Sequence, residues 1–126
     1  MTMRTRHMIR FFMLIYCVVL ASCSSMPSET SSAANGISAD AVWIDVRTVE
    51  EYANDHIDGD MNVPIQTLDP ATLAAQLGLQ SDSEIVFYCA SGGRAGRAKT
   101  MLEEAGFTNV INAGGIDDAR ELRRFK

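Results

Sequence analysis

Short apolar runs alternate with amphipathic segments from about residue 41 onwards. The run Ile85–Cys89 and the run over residues 42–46 are rich in β-branched and aromatic side chains, which predicts two buried strands. Apolar residues at helical spacing predict a helix over residues 94–105 that ends at Gly106. Two adjacent glycines lie between the strand Ile85–Cys89 and this helix, so the backbone is expected to turn sharply there.

The remaining elements carry their own start and stop signals. Thr48 and Asp69 stand where helix N-caps are needed, and Gly78 is placed to end the second of these helices. The elements are helices over Val49–Asn54 and Pro70–Leu77, strands over residues 62–65 and 109–112, and a terminal helix over residues 117–125. Alternating strands and helices predict an α/β fold, a small domain whose largely parallel central sheet is flanked by helices.

The first forty residues do not continue this pattern. Residues 1–10 carry three arginines and no acid, and residues 11–20 are all of hydrophobic types, which predicts a secretory signal. Leu20-Ala21-Ser22-Cys23 then resembles a bacterial lipobox, whose cysteine is lipidated. We expect a lipoprotein signal peptide over residues 1–22, a lipidated Cys23 with a flexible tether over residues 23–40, and a folded domain over residues 41–126. An ordinary signal peptide cut nearby and an uncleaved anchor are the alternatives.

This division predicts an exported protein held by lipid on the periplasmic side of a bacterial membrane. Ser24, in place of Asp, follows Cys23 and resembles the outer-membrane sorting pattern of Gram-negative cells. Cys17 would leave with the signal peptide and Cys23 would be blocked, so Cys89 would be the sole free thiol of the mature chain. An unpaired thiol kept in an oxidising compartment favours a chemical role for Cys89.

The charge of the chain limits the classes of molecule that it is expected to bind. There are 16 acidic and 11 basic residues, a net charge of -5, and the signal segment would remove only bases, which argues against nucleic-acid binding. The segment between Glu84 and Glu103 is the exception, because it contains three bases and no acid. These bases are Arg94, Arg97 and Lys99. They predict a local positive region suited to a small anion.

Cys89 stands at the end of a strand and before a glycine loop that opens a helix. The first amides of a helix have no partner within it, so such a loop can direct several N–H groups at one sulfur and hold it as the nucleophilic thiolate. The alternative is a buried cysteine that acts as a small hydrophobe. The glycines and arginines that follow favour the reactive thiolate.

Other polar residues fit structural roles better. Asp45 and Arg47 fall on one face of their strand, where an ion pair that fixes a loop is expected. His56 would be the only histidine of the mature chain; it could act as a base, but a structural or loop-bonding role is expected, since a thiolate stabilised by amides needs no base. One histidine with one free cysteine predicts no metal site, and we expect no cofactor.

Several segments together resemble one family, the rhodanese-type sulfurtransferases. The loop over residues 89–95 resembles the family's C-x-x-G-x-R-A/S active-site loop, and residues 43–47 resemble its opening IDVR strand. Residues 51–64 resemble its E-Y…H-I-x-G-A-x-N-I-P segment, with Asp60 where the family usually has alanine. Residues 112–115 resemble its closing G-G turn. The likeness is greatest to small, exported, single-domain rhodaneses of the phage-shock protein E type.

The resemblance implies a sulfurtransferase in which catalytic Cys89 carries sulfur as a persulfide from a small anionic donor such as thiosulfate to cyanide or a thiol. It implies that substrate contacts come from Ala90, Ser91, Gly92, Gly93, Arg94, Ala95 and Arg97. Arg94 is expected to orient the loop, Arg97 to meet the incoming anion, and Ser91 either to donate a hydroxyl bond or only to favour the turn. A sulfur carrier or interaction module without turnover stays open as an alternative.

The length of the loop separates this chemistry from that of cysteine-dependent phosphatases. Four residues separate Cys89 from Arg94, whereas those phosphatases place five between nucleophile and arginine. Ala95 stands where their arginine would be, so phosphatase or arsenate-reductase activity is the weaker alternative.

Overall fold

The structure of the chain is a computed structural model that describes residues 36–124. Its elements are β1 (Val42–Asp45), α1 (Val49–Asn54), β2 (Met61–Asn62), α2 (Pro70–Leu77), β3 (Ile85–Cys89), α3 (Gly93–Glu104), β4 (Val110–Gly115) and α4 (Ile116–Arg124). The strands form one sheet in the order β2-β1-β3-β4, and every neighbouring pair is parallel. The prediction of an α/β fold with a largely parallel sheet is confirmed.

The alternation of side chains along β3 divides the core into two layers. Ile85, Phe87 and Cys89 face one side, where they pack against α2 and α3. Val86 and Tyr88 face the other side and pack against α4. Because β3 is buried on both faces, it reads as a continuous apolar run, and the strand delivers Cys89 to the side that α3 covers.

Elements with local capping signals begin and end where the sequence predicts. The Thr48 side chain accepts a hydrogen bond from the N–H of Glu51 while the Glu51 carboxylate accepts from the N–H of Thr48, which forms a capping box at the start of α1. Asp69 caps α2, and Gly78 ends that helix in the left-handed region at φ 63°. The bounds of α1 and α2 are therefore confirmed.

Two strands differ from their predicted ranges. The sequence predicts strand β2 over residues 62–65, ended by Pro64, but the strand is limited to Met61–Asn62. The N–H groups of Val63 and Ile65 still donate to the carbonyls of Asp45 and Val46, but these acceptors are adjacent residues, so the regular parallel ladder has ended. Strand β4 was expected to end at residue 112, with the glycine pair as a turn, and that expectation is wrong. The strand runs through Gly115 and contains an irregularity in its pairing with β3 between Phe87 and Cys89.

Asp45 and Arg47 form the structural ion pair that strand alternation predicts. Both residues are buried, and the Arg47 guanidinium donates to the Asp45 carboxylate at 2.6–3.0 Å. The same guanidinium donates to the carbonyl of Asp55 at 2.7 Å. The pair therefore fastens the end of β1 to the end of α1.

Asp60, which departs from the family pattern, lies at the centre of a polar cluster. Its side chain is only 5% exposed and accepts hydrogen bonds from the Tyr88 hydroxyl at 2.9 Å and from the Arg123 guanidinium. That guanidinium lies over the Trp43 ring, 4.3 Å from its centroid. Burial, together with the Asp60 carboxylate, raises the pKa of Tyr88, so the hydroxyl keeps its proton and remains a donor. The cluster ties α4 to the sheet.

The packed part of the chain begins before the expected boundary at residue 41. Ile37 is buried in the layer beneath α4, and the N–H of Ser38 donates to Glu84 at 2.7 Å. The predicted signal peptide, the lipidation site Cys23 and most of the tether lie outside the described residues. Within residues 36–124, no helix is both long enough and apolar enough to cross a membrane.

Candidate active site

Cys89 lies at the carboxyl end of the central strand and is the free thiol of the described part of the chain. The residue is only 1% exposed. Ala90, Ser91 and Gly93 around it are exposed, so the loop forms the rim of the site and the sulfur lies at its floor. Only an atom small enough to enter between the loop residues can therefore reach the sulfur.

The loop directs its backbone amides at the sulfur. The N–H of Gly92 donates to Cys89 Sγ at 3.0 Å, and Gly92 adopts φ 92°, a left-handed conformation that glycine takes without strain. Helix α3 begins at the next residue without a side-chain cap, so its first amides are available to the sulfur. The sulfur takes the place that a capping oxygen occupies in other helices.

Two opposing effects set the acidity of this thiol. Burial raises the pKa of Cys89, because a charged sulfur loses its hydration. Backbone N–H groups that point at the sulfur lower the pKa by more, and the net pKa lies below that of an ordinary cysteine. These N–H groups belong to Ala95, Ser91, Gly92 and Arg94. The loop thus favours the thiolate without a general base.

Arg94 is held by an acid from another element. Its guanidinium makes a two-pronged ion pair with Glu51 of α1, with nitrogen–oxygen distances of 2.5 and 2.8 Å. The hydrogen bond from Arg94 and the N-cap contact with Thr48 lower the pKa of Glu51 to about 2. Arg94 also interacts with the sulfur of Cys89. The ion pair of Arg94 with Glu51 therefore holds the loop against α1, and little of the Arg94 charge is left for a substrate.

Arg97 lies one turn along α3 from the loop and differs from Arg94 in its surroundings. It is exposed, and no carboxylate among residues 36–124 pairs with it. Together with Gly93, Gly96, Thr100 and Met101 it lines an open cavity of about 470 Å³ beside the loop. Arg97 is thus the cation beside the loop whose charge is available to an incoming anion.

Strand β4 supports the loop from behind. A Cβ on Gly115 would lie 2.7 Å from the carbonyl oxygen of Ala90, and a Cβ on Gly92 would lie 3.2 Å from the Cα of Gly114. Such distances exclude a side chain at Gly115 unless the loop moves. Gly115 is therefore needed because two stretches of backbone meet there, whereas Gly114 is favoured by its φ of 82° and by the nearby Asp118 side chain.

The structure also shows where the other residues that the sequence singled out lie. Ala95 is fully buried in the core layer of α3, so only its backbone can serve the site. His56 stacks on the Tyr52 ring with centroids 4.5 Å apart, and its Nδ1 lies 3.1 Å from the carbonyl of Tyr52, which is a structural contact to helix α1 and not to a loop. No cluster of three or more His, Cys, Asp or Glu side chains within residues 36–124 could hold a metal ion.

Glu51 and Asn112 have roles at this site that the sequence alone did not reveal. Glu51 occupies the last position of the T-x-x-E capping box, and that signal could have drawn attention to it. Asn112 bridges the loop and β4, but its neighbours in the sequence give no sign of this contact.

Comparison with known proteins agrees with this geometry. Residues 29–121 match the family described as Rhodanese-like domain. The chain is 38% identical over 76 residues to thiosulfate sulfurtransferase PspE of Escherichia coli, an alignment that covers 60% of this chain and 71% of that protein. It is 36% identical over 87 residues to the thiosulfate:glutathione sulfurtransferase of Saccharomyces cerevisiae, covering 61% of this chain and 63% of that protein.

A solved structure extends the likeness to three dimensions. A rhodanese with anions from E. coli superposes with a TM-score of 0.56 at 36% sequence identity. The match covers 62% of this chain and 89% of the E. coli protein. The shared part thus amounts to most of that structure.

We predict that the ion pair of Glu51 with Arg94 makes stability depend on pH. Because the folded-state pKa of Glu51 is about 2, below its ordinary value, the pair contributes above the ordinary pKa, and its contribution is lost as the pH falls towards 2. Glu51→Gln is therefore expected to lower the free energy of unfolding at pH 7, and the difference from the wild type is expected to shrink between pH 4.5 and pH 3. Urea unfolding at a series of pH values measures this.

Glu50→Gln is the matched control for this measurement. Glu50 is the exposed neighbour of Glu51 in the first turn of α1, and its side chain has no hydrogen-bond or ion-pair partner among residues 36–124. Its replacement is expected to change stability by less than about 0.5 kcal/mol at any pH. A constant difference between Glu51→Gln and the wild type from pH 7 to pH 3 would contradict the assigned role of the pair.

Proposed function

Because the chain belongs to the rhodanese-like domain family and is an enzyme of the thiosulfate sulfurtransferase type, we propose that it transfers sulfane sulfur through a persulfide on Cys89. The donor is thiosulfate or a similar small anion, and the acceptor is cyanide or a thiol. The amides that surround Cys89 Sγ and lower its pKa are the observation that carries this proposal. They stabilise negative charge both on the thiolate and on the outer sulfur of a persulfide.

In the first half-reaction the Cys89 thiolate attacks the outer sulfur of thiosulfate. A sulfur–sulfur bond forms to Cys89 while the sulfur–sulfur bond of thiosulfate breaks, and sulfite leaves with the electron pair. In the second half-reaction cyanide attacks the outer sulfur through carbon, thiocyanate departs, and Cys89 returns to the thiolate. A thiolate acceptor reacts in the same way and leaves as a persulfide. Neither half-reaction needs a metal or an organic cofactor.

The loop supports sulfur transfer better than phosphate chemistry. The sulfur of Cys89 is almost fully covered, which suits attack on a single protruding sulfur atom. Arg94, the arginine of the loop, is already paired with Glu51, and the position that follows is the buried Ala95. No guanidinium of the loop is therefore left to bind the oxygens of a phosphoryl group.

The export of the protein is part of the same proposal. Residues 1–22 serve as a lipoprotein signal peptide, Cys23 carries the lipid, and the domain works on the periplasmic side of a bacterial membrane, the outer membrane in a Gram-negative cell. The lipobox resemblance at residues 20–23 supports this, as does Ser24 after the cysteine.

The two half-reactions are predicted to be separable with the full-length protein. Incubation with thiosulfate is expected to add the mass of one sulfur to the peptide that contains Cys89, and cyanide is then expected to remove it and release thiocyanate. Cys89→Ser is expected to abolish both results, whereas Cys23→Ser leaves them intact. Sulfur loading without repeated turnover would indicate a carrier, and hydrolysis of aryl phosphates without sulfur loading would indicate a phosphatase.

Arg97 is predicted to attract the anionic donor. Arg97→Gln is expected to raise the KM for thiosulfate about two- to fivefold with little change in kcat, the range of an exposed charge contact, and the effect is expected to fade at high salt. Arg124→Gln is the control, because Arg124 is an exposed arginine at the end of α4 with no carboxylate partner among the described residues. Equal KM values for wild type and Arg97→Gln at low salt would exclude this role.

Lipidation is predicted to depend on Cys23. Cells that express the full chain with radiolabelled fatty acid are expected to incorporate the label, and the wild-type protein is expected to fractionate with membranes. Cys23→Ser is expected to lose both properties, while Cys17→Ser keeps them. Equal labelling of wild type and Cys23→Ser would instead indicate that Cys23 is not the lipid site.

A further inference from the structure

Strand β4 is irregular beside the catalytic cysteine. Phe87 pairs with Asn112, yet Cys89, two residues along β3, pairs with Gly115, three residues along β4. The extra residue makes a bulge, which bends the strand and changes the direction of its side chains and amides. This bulge lies where β4 passes behind the loop that holds the sulfur.

The side chain of Asn112 spans the bulge and reaches the loop. Its Oδ1 accepts a hydrogen bond from the N–H of Gly114 at 2.9 Å, and its Nδ2 donates to the carbonyl of Gly92 at 3.0 Å. The carbonyl of Gly92 also accepts from the N–H of Gly96 in the first turn of α3, at 2.9 Å. Both ends of the Asn112 amide are thus used, and so are both lone pairs of the Gly92 carbonyl.

Gly92 is the residue whose orientation matters most to the sulfur. Its N–H donates to Cys89 Sγ, while its carbonyl is the group that Asn112 and Gly96 hold. Glycine at φ 92° has wide conformational freedom, and α3 has no side-chain cap that would fix this residue from within the helix. The carbonyl of Gly92 is instead held by two hydrogen bonds, one from the N–H of Gly96 in α3 and one from the side chain of Asn112, and together they restrict how Gly92 can turn.

We propose that Asn112 is a positioning residue for catalysis, which holds Gly92 so that the Gly92 N–H stays directed at the sulfur of Cys89. This inference rests on the proposed function of Cys89 as the nucleophile and adds a residue that never touches the substrate. The neighbouring packing supports it, because a Cβ on Gly96 would lie 3.3 Å from Nδ2 of Asn112 and a Cβ on Gly92 would lie 3.8 Å from its Oδ1. The amide therefore lies against both the loop and α3, although Asn112 itself is exposed at the edge of β4.

The charged groups around the sulfur must be kept constant in a test of this role. Arg94 of α3 interacts with the sulfur and is paired with Glu51 of α1. Asp118 of α4 accepts from the N–H of Gly115 at 2.8 Å. Asp45 and Arg47 form an ion pair at the end of β1, and Arg97 is the exposed cation beside the loop. Asn112→Ala changes none of these charges, whereas Asn112→Asp keeps the size of the side chain but adds a negative charge and removes the donor.

The test is the pH dependence of alkylation of Cys89 by iodoacetamide in the full-length protein, followed by mass spectrometry on the peptide that contains Cys89. Asn112→Ala is expected to raise the apparent pKa of the thiol by about half a unit to one unit, the effect of one weakened hydrogen bond to the thiolate. Asn112→Asp is expected to raise it further, because its carboxylate repels both the Gly92 carbonyl and the thiolate. Both variants are expected to transfer sulfur more slowly.

Asn109→Asp is the matched control, since it makes the same change of charge just before β4 at a side chain with no hydrogen-bond partner among the described residues. Its thiol pKa is expected to equal that of the wild type. An unchanged thiol pKa in Asn112→Ala would overturn the proposal, even if this variant were less stable and even if Asn112→Asp raised the pKa, because an added carboxylate raises it through charge alone. Alkylation requires no turnover. If the wild-type protein releases no thiocyanate but the Asn112 variants still have a raised thiol pKa, the proposed function is refuted and the positioning role stands.

Discussion

The site depends on backbone N–H groups that favour negative charge on a sulfur almost entirely withdrawn from water. Burial alone would make Cys89 a weaker acid and an inert thiol. The N–H groups of the loop and of the first turn of α3 together reverse this effect, because they have no partner within the helix and lie around the sulfur. These amides are neutral and fixed, so they stabilise the thiolate without a base and without reorganising during the reaction.

Amides act in this way only if the loop that carries them is held still, and the fold holds it from two sides. On one side Glu51 combines two tasks, since it completes the capping box of α1 and pairs with Arg94 of the loop. On the other side the backbone of β4 meets the loop so closely that Gly115 has no room for a side chain. The short helix α1 and the bulged end of β4 are therefore parts of the site, although neither provides a reacting group.

The sequence was sufficient where the determinants are local. Helices α1 and α2 were predicted with their observed bounds because Thr48, Asp69 and Gly78 act on the residues next to them. The bulge in β4 could not be predicted, because it depends on contacts between Gly114 and a loop about twenty residues away in the sequence. The same applies to Asp60, which departs from the alanine usual in the family and is balanced here by Arg123 from α4. Its partner lies too far along the chain for any local pattern to indicate it.

The distribution of charge explains why this cradle suits sulfur better than phosphate. Arg94 is neutralised by Glu51, so the charge at the sulfur is balanced chiefly by amide dipoles, which suffice for one negative charge. In the sulfur transfer proposed above, one charge would move from the thiolate of Cys89 to the outer sulfur of the persulfide, and the total on the enzyme would stay the same. A phosphoryl group would bring further charges and would need a guanidinium without a partner inside the loop. Arg97, outside the loop, can draw an anion to the rim but leaves the charge balance at the floor of the site unchanged.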